Sequence, residues 1–115
     1  MGGTRLTAPT IAVLVESKYC EAAQTTQYTA AGKVLIDIAT FTNVTASTVN
    51  FTLNIVPSGD SASSGNRVVS SRDVLPGQCY IADEACHNLE AGDFISTSCS
   101  AGSSLVMRIS GREIT

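Results

Sequence analysis

The residues of this chain best suited to chemistry are its four cysteines and its single histidine, which are Cys20, Cys79, Cys86, Cys99 and His87. Cysteine thiolates and a histidine imidazole are common ligands of tetrahedral zinc. Zinc sites usually pair ligands a few positions apart, whereas the only close ligands here are the adjacent Cys86 and His87. Because adjacent residues of a strand point to opposite faces, these two do not converge on one ion. We therefore expect no metal and no other cofactor.

Disulfide bonds are a second chemistry open to these cysteines, and four cysteines allow three different pairings. Disulfides persist mainly in oxidising compartments. The sequence begins Met-Gly-Gly-Thr-Arg and shows no uninterrupted apolar core of a signal peptide near its start,. We therefore expect synthesis in the cytoplasm and buried, reduced thiols that pack as small apolar residues, with a bridge as the alternative. Cys99 lies at a strand position suited to burial.

A nucleophilic catalytic triad would have to combine Asp60, Ser61 and His87. No Gly-x-Ser-x-Gly motif places a serine on a strained turn, and general-base chemistry would depend on one histidine,. A glycine-rich phosphate loop is also missing from the sequence,. The sequence therefore predicts a protein that is not an enzyme.

Four carboxylates cluster around a predicted turn, at Asp83, Glu84, Glu90 and Asp93. Carboxylate oxygens are the ligands that calcium prefers. These residues lack the alternate-residue spacing of a dedicated calcium loop, so we interpret them as solvated turn residues,.

Composition narrows the class of protein further. The 115 residues suffice for one domain, and only 15% of them are charged, with a net charge of −3,. A negative chain is a poor partner for a phosphate backbone, so nucleic acid binding is not expected. No apolar run approaches the roughly 20 residues that span a bilayer, so we expect no membrane association,.

The clearest structural pattern is the alternation over residues 48–56. Val49, Phe51, Leu53 and Ile55 fall on one side, and three polar residues between them fall on the other. This alternation is typical of a strand with one face in a core and one in water. Residues 34–42 are also β-branched and apolar. The short polar link 43–47 predicts that these two strands pair as an antiparallel hairpin.

Further strand candidates are 11–15, 27–29, 67–74, 78–82, 94–100 and 105–110. The turn 101–104 predicts a second hairpin, and 111–115 can continue the last strand beyond a glycine bulge at Gly111,. Residues 83–89 suffice for one or two helical turns. The fold prediction is therefore all-β: a single-domain antiparallel β-sandwich, jelly-roll-like, over residues 10–115, preceded by an extended N-terminal arm at 1–9. The stretch 58–66 predicts a mobile, solvated loop between strands, with a contact that becomes ordered on binding as the alternative.

The chain resembles small all-β virion structural proteins of tailed bacteriophages. The residues that carry the resemblance are Tyr28-Thr-Ala-Ala-Gly32, Thr42-Asn-Val-Thr-Ala46, Val49 to Gly59, Leu75-Pro-Gly-Gln78, Leu89 to Ile95 and Ile109 to Thr115. The resemblance covers most of the chain from Tyr28 onward. The arm before Cys20 and the stretch from Cys79 to Cys86 depart from the family pattern.

This resemblance implies a structural role at the virion, most specifically as a capsid decoration (cement) protein on the capsid surface. Such a protein binds the major capsid protein, bridges neighbouring subunits and self-associates as a dimer or trimer. The candidate partner-binding residues are Arg5, Leu6 and Pro9 in the arm and Asp60, Ser61 and Asn66 in the loop. The alternatives are a tail or tail-fibre accessory protein and a carbohydrate-binding module.

Overall fold

Nine β-strands run through residues 9–114, the part of the chain that this computed structural model describes. The strands are β1 (Thr10–Tyr19), β2 (Thr25–Thr29), β3 (Lys33–Asn43), β4 (Val49–Val56), β5 (Arg67–Val74), β6 (Cys79–Ile81), β7 (Asn88–Leu89), β8 (Phe94–Cys99) and β9 (Leu105–Ile114). Single 3₁₀ turns lie at Ser64–Asn66 and Asp83–Ala85. The predicted helical segment 83–89 is therefore one such turn followed by the short strand β7.

The strands form two antiparallel sheets that pack face to face. Sheet A has the order β1-β9-β3-β6, with β7 also pairing β3, and sheet B has the order β2-β8-β4-β5. Since β6 and β7 share one edge of β3, each sheet has four strand positions. Early strands pair with late ones in nested fashion: β1 with β9, β2 with β8, β3 with β6 and β7, and β4 with β5. This nesting is the jelly-roll strand order, so the prediction of an all-β, jelly-roll-like sandwich is confirmed.

The two predicted hairpins are wrong in their pairing. Strand β3 belongs to sheet A and β4 to sheet B, and the same holds for β9 and β8. The short links therefore carry the chain from one sheet to the other. In the first link the buried Asn43 amide donates to the Ser47 carbonyl at 2.7 Å and the Val74 carbonyl at 2.9 Å, which fixes the crossover.

The core lies between the sheets and is built from both. The rings of Phe41 on β3 and Phe51 on β4 stack at 3.8 Å between centroids, with both side chains fully buried. Leu53 on β4 and Met107 on β9 are also fully buried in this cluster. Alternation along each strand therefore directs one set of side chains into a shared core, as the sequence predicts for the alternating face of β4.

Gly111 allows β9 to run unbroken to Ile114, which confirms the predicted continuation of the last strand. A Cβ at this position would collide with the Leu35 carbonyl oxygen on β3. The irregularity lies on the neighbouring strand instead, because the register with β9 shifts between Ile36 and Ile38. The predicted glycine bulge is thus a close backbone approach opposite a bulge in β3.

Candidate binding surfaces

The outer face of sheet A, called the A face below, concentrates exposed apolar side chains. Among the described residues, seven of the nine exposed large apolar side chains lie on it: Ile11, Val13, Tyr19, Leu35, Ile38, Ile81 and Ile114. Ile11 is 85% exposed and Ile81 is 51% exposed. Scattered single apolar residues are ordinary on protein surfaces, whereas a cluster on one face marks an interaction surface.

Strand register brings these side chains together across three strands. Two rows cross β1, β9 and β3 in that order: Ile11–Arg112–Leu35 and Val13–Ser110–Ile38. Side chains opposite one another on neighbouring strands are about 5 Å apart, so in these rows Arg112 and Ser110 lie between the apolar residues of β1 and those of β3,. The A face therefore carries apolar side chains on β1 and on β3, with polar residues of β9 between them.

The charged groups of the A face pair with one another. Arg112 donates two hydrogen bonds to the Asp37 carboxylate, at 3.1 and 2.8 Å. The Arg112 hydrogen bond lowers the pKa of Asp37. Arg108 lies 3.7 Å from the Glu16 carboxylate and donates to the Ser17 hydroxyl at 3.2 Å. Exposed pairs of this kind contribute little to stability. Their effect here is that Arg108 and Arg112 each already have an oppositely charged partner on the A face.

The outer face of sheet B, called the B face below, is polar. Its outward positions are Thr26, Thr29, Asn50, Thr52, Asn54, Val56, Phe94, Ser96 and Ser98. Val56 is fully buried but lies outside the core cluster. The sequence predicts that the polar positions of β4 face water, whereas Thr52 and Asn54 are buried. That part of the prediction is wrong because the 57–66 loop is hydrogen-bonded to Asn54, and the Thr52 hydroxyl accepts from the Ser71 amide of β5 at 3.1 Å.

Asn54 holds the loop against the B face. Its Nδ2 donates to the Ser63 carbonyl at 2.8 Å and to the Asn66 Oδ1 at 2.7 Å. Asn66 also accepts from the Ser63 amide at 3.0 Å and donates to the Ser61 carbonyl at 3.0 Å. The 58–66 loop predicted to be mobile is therefore tied down by its own hydrogen bonds.

The predicted partner-binding residues that the structure describes are Pro9, Asp60, Ser61 and Asn66. Asp60 and Ser61 are exposed in the 57–66 loop, whereas the Asn66 amide is occupied in holding it. Pro9 is exposed directly before β1. Arg5, Leu6 and the rest of the predicted arm before Pro9 lie outside the described residues. The A face, which sequence reasoning missed, carries seven exposed large apolar side chains.

A signal for the A face was present in the sequence. The runs Ile11 to Val15 and Val34 to Ile36 are apolar at consecutive positions rather than alternate ones. Consecutive apolar residues place hydrophobic side chains on both faces of a strand. Such runs normally indicate a strand covered on both sides, and here one side is left uncovered.

An open depression of about 410 Å³ runs along β5 and includes Arg72 and Glu84. Arg72 lies 3.2 Å from the Glu84 carboxylate, and the Tyr80 hydroxyl donates to the same carboxylate at 2.7–2.8 Å. The Tyr80 hydrogen bond is the main cause of the lowered pKa of Glu84. The Arg72 guanidinium also covers the Tyr80 ring, 5.0 Å from its centroid. The side chains of Arg72, Tyr80 and Glu84 therefore contact one another, and they connect β5 to the segment after β6.

The residues considered for metal and acid–base chemistry lie apart. Within residues 9–114, no group of three or more His, Cys, Asp or Glu residues is placed to hold a metal ion. His87 is exposed, and the Asp93 carboxylate accepts from the Ser58 and Glu90 amides at 3.0 and 2.9 Å. Asp93 thus supports turns between strands.

The prediction of buried thiols holds for half of the cysteines. Cys20 and Cys99 are buried, whereas Cys79 and Cys86 are exposed. Cys79 lies on the short edge strand β6, and Cys86 follows a 3₁₀ turn at the same edge. Because an edge is covered on fewer sides than a central strand, these two side chains reach solvent. The prediction was therefore wrong for Cys79 and Cys86.

Comparisons of the chain with protein-family models, with curated proteins and with solved structures found no match. Among residues 9–114, no helix is long and apolar enough to cross a bilayer. The class that the structure defines is an all-β sandwich with jelly-roll strand order. Its function must be inferred from the surfaces described above and from the sequence resemblance.

Proposed function

We propose that the chain is a virion structural protein of a tailed bacteriophage, a capsid decoration protein that docks on the major capsid protein through its A face. The observation that carries the proposal is the concentration of seven exposed apolar side chains on one sheet face. Exposing such a surface to water is unfavourable, and covering it with a partner releases that cost. Jelly-roll sandwiches occur in viral capsid domains, which supports the proposal by analogy of fold alone.

The charge pattern favours a largely apolar partner surface. Arg112 is satisfied by Asp37 and Arg108 by Glu16 and Ser17, so docking on the A face does not strand an unpaired charge,. A partner with an apolar patch of matching shape can then cover Val13 and Ile38. Because a shell repeats its subunits many times, several such modest contacts made together give firm attachment.

Two further contacts remain predictions from the sequence. The arm residues Arg5, Leu6 and Pro9 would add a second point of attachment, which deletion of residues 1–9 tests. Self-association as a dimer or trimer is tested by light scattering of the purified protein.

The central experiment compares the A face with the B face. Assembled shells of the phage's major capsid protein are mixed with the wild-type chain, with the double variant Val13→Ser and Ile38→Ser, or with the control Thr26→Ala and Thr29→Ala. All four positions are exposed, so neither double variant removes core packing. We expect the wild type and the threonine variant to co-sediment with shells, and the A-face variant to lose binding at least about tenfold. Thermal melting of each variant checks that folding is intact.

Equal co-sedimentation of the A-face variant and the wild type contradicts docking through the A face. Failure of the wild type to bind shells contradicts the decoration role itself. Imaging of whole particles then separates the rivals: many copies over the shell support decoration, and a few copies at the tail support a tail accessory protein. Binding on a glycan array instead supports the carbohydrate-binding alternative.

A further inference from the structure

Two buried cysteines meet where a strand of each sheet ends. Cys20 follows β1 of sheet A, and Cys99 is the last residue of β8 of sheet B. The Cys99 amide donates to the Glu21 carbonyl at 3.1 Å, and the Cys99 thiol donates to the Cys20 carbonyl at 3.2 Å. The two residues are 79 positions apart in sequence, and at this end of the sandwich Cys99 is hydrogen-bonded to Cys20 and to the residue that follows it.

The two sulphur atoms lie beside the same carbonyl oxygen. The Glu21 oxygen is 3.7 Å from the Cys20 Sγ and 3.5 Å from the Cys99 Sγ. Burial raises the pKa of Cys20 to about 12, and interaction with the Cys99 thiol adds to the rise. Both sulphur atoms therefore lie at the same buried corner of the sandwich. A disulfide requires Cα atoms within about 7 Å of each other, and the hydrogen bonds of Cys99 to the Cys20 and Glu21 carbonyls favour such an approach,.

The other pairings of the four cysteines are excluded by distance. Register aligns Tyr19, Val106, Thr42 and Cys79 across sheet A, so Cys20 and Cys79 are separated by three strand spacings, roughly 14 Å,. The Cys86 thiol donates to the Asp37 carbonyl, five residues along β3 from the register position of Cys79. That places Cys86 on the far edge of sheet A as well. Of the three disulfides that could include Cys20, only Cys20–Cys99 is compatible with this arrangement.

We propose that Cys20 and Cys99 form an intramolecular disulfide when the protein meets a low-molecular-weight disulfide oxidant, such as oxidised glutathione. Cys99, next to the exposed Ser100 turn, attacks the oxidant first and releases one thiol,. Cys20 then loses its proton and attacks the mixed disulfide, so that the Cys20–Cys99 bond forms and a second thiol leaves. The two cysteine thiols are oxidised by two electrons, and one oxidant disulfide is reduced to two thiols.

The bridge would join sheet A to sheet B covalently at one end of the sandwich. Closing so long a loop restricts the unfolded chain strongly, so the oxidised protein should melt about 10 °C higher than the reduced protein. Because Cys20 carries a raised pKa, bridge formation should be slow at neutral pH and faster as pH rises,. This inference is independent of the proposed decoration role.

The experiment uses the variant Cys79→Ser, Cys86→Ser, in which Cys20 and Cys99 are the only cysteines. The folded protein is equilibrated with oxidised or with reduced glutathione, then unfolded, alkylated and weighed by mass spectrometry. We expect the oxidised sample to lack the mass of two hydrogen atoms and to take up no alkylating reagent, with the higher melting temperature. Non-reducing digestion of the wild-type protein should yield one peptide pair joined through Cys20 and Cys99.

The matched control adds Cys20→Ser to the same variant. It should give at most a glutathione adduct on Cys99 and no rise in melting temperature. If this control does not fold, the comparison of oxidised and reduced samples of the two-cysteine variant still decides the question. Full alkylation of both cysteines after oxidation, or linkage only between different molecules, overturns the proposal.

Discussion

The A face and the B face lie on the two sides of one sandwich, and they differ in how far other segments of the chain cover them. On the B face, the 57–66 loop folds back over β4 and is hydrogen-bonded to Asn54, a polar residue that is buried. On the A face no described segment covers the apolar rows, and Ile11 stays 85% exposed. The chain itself covers part of the B face, whereas the apolar side chains of the A face are left for a partner to cover.

The difference separates stability from binding. Polar groups buried beneath the loop contribute to the stability of the fold. Removing one of them leaves its hydrogen-bonding partner with neither water nor protein to pair with. Exposed apolar groups such as Val13 and Ile38 gain little from folding, so they can be replaced with small effect on stability. Substitutions on the B face should therefore change unfolding, and substitutions on the A face should change association.

The largest expected effect comes from Gly111→Ala, which breaks sheet A at the centre of the A face. The added methyl group would meet the Leu35 carbonyl, so β3 and β9 must move apart. We expect a loss of at least about 3 kcal/mol in the free energy of unfolding, measured by denaturant titration. The control Gly102→Ala, in a turn where a Cβ meets nothing within 4 Å, should change stability by less than about 0.5 kcal/mol,. Equal stabilities of the two variants would contradict the close approach.

A smaller effect is expected from Asn54→Asp on the B face. The new carboxylate would face the Ser63 carbonyl and the Asn66 Oδ1, both of which are hydrogen-bond acceptors. We expect a loss of about 2 kcal/mol in unfolding free energy and earlier proteolytic cleavage in the 57–66 loop. Asn88→Asp, at an exposed position of β7, is the matched control and should be nearly neutral. An Asn54→Asp protein as stable as the control would show that the loop is not held by this amide.

The smallest effect concerns the ion pair of the A face. Because the Arg112 hydrogen bond lowers the pKa of Asp37, the pair stabilises the fold above the ordinary aspartate pKa of about 3.9 and is lost as pH falls through the lower folded value,. NMR titration of the Asp37 carboxyl carbon should therefore give a midpoint below that of an ordinary aspartate. Arg112→Gln should raise this midpoint with little change in melting temperature. An unchanged midpoint would mean that the pair does not persist in solution.

Sequence patterns predict the strands well and their partners poorly. Alternation located β4 and its core residues Phe51 and Leu53, because apolar periodicity reports which side chains face a core. It does not report which strand lies alongside, so the links after β3 and β8 were interpreted as hairpins although they change sheets. In a sandwich, a short link suits both a hairpin and a crossover.

The surfaces were harder to predict than the strands. Burial of Asn54 depends on where the 57–66 loop comes to rest, which no local pattern encodes. Exposure of Leu35 and Ile38 depends on no other segment reaching the A face, and the same apolar run would suit a strand buried on both sides. The proximity of Cys20 and Cys99 depends likewise on the nesting of distant strands.

The pairing of β1 with β9 also bears on how the protein is made. Thr10 lies opposite Glu113, so sheet A cannot close until Glu113 has left the ribosome. Such long-range pairing predicts slow folding, with β1 unpaired until β9 has been synthesised. The same corner holds both ends of the described chain, so a short linker between them should permit a circular permutant that opens at a turn elsewhere.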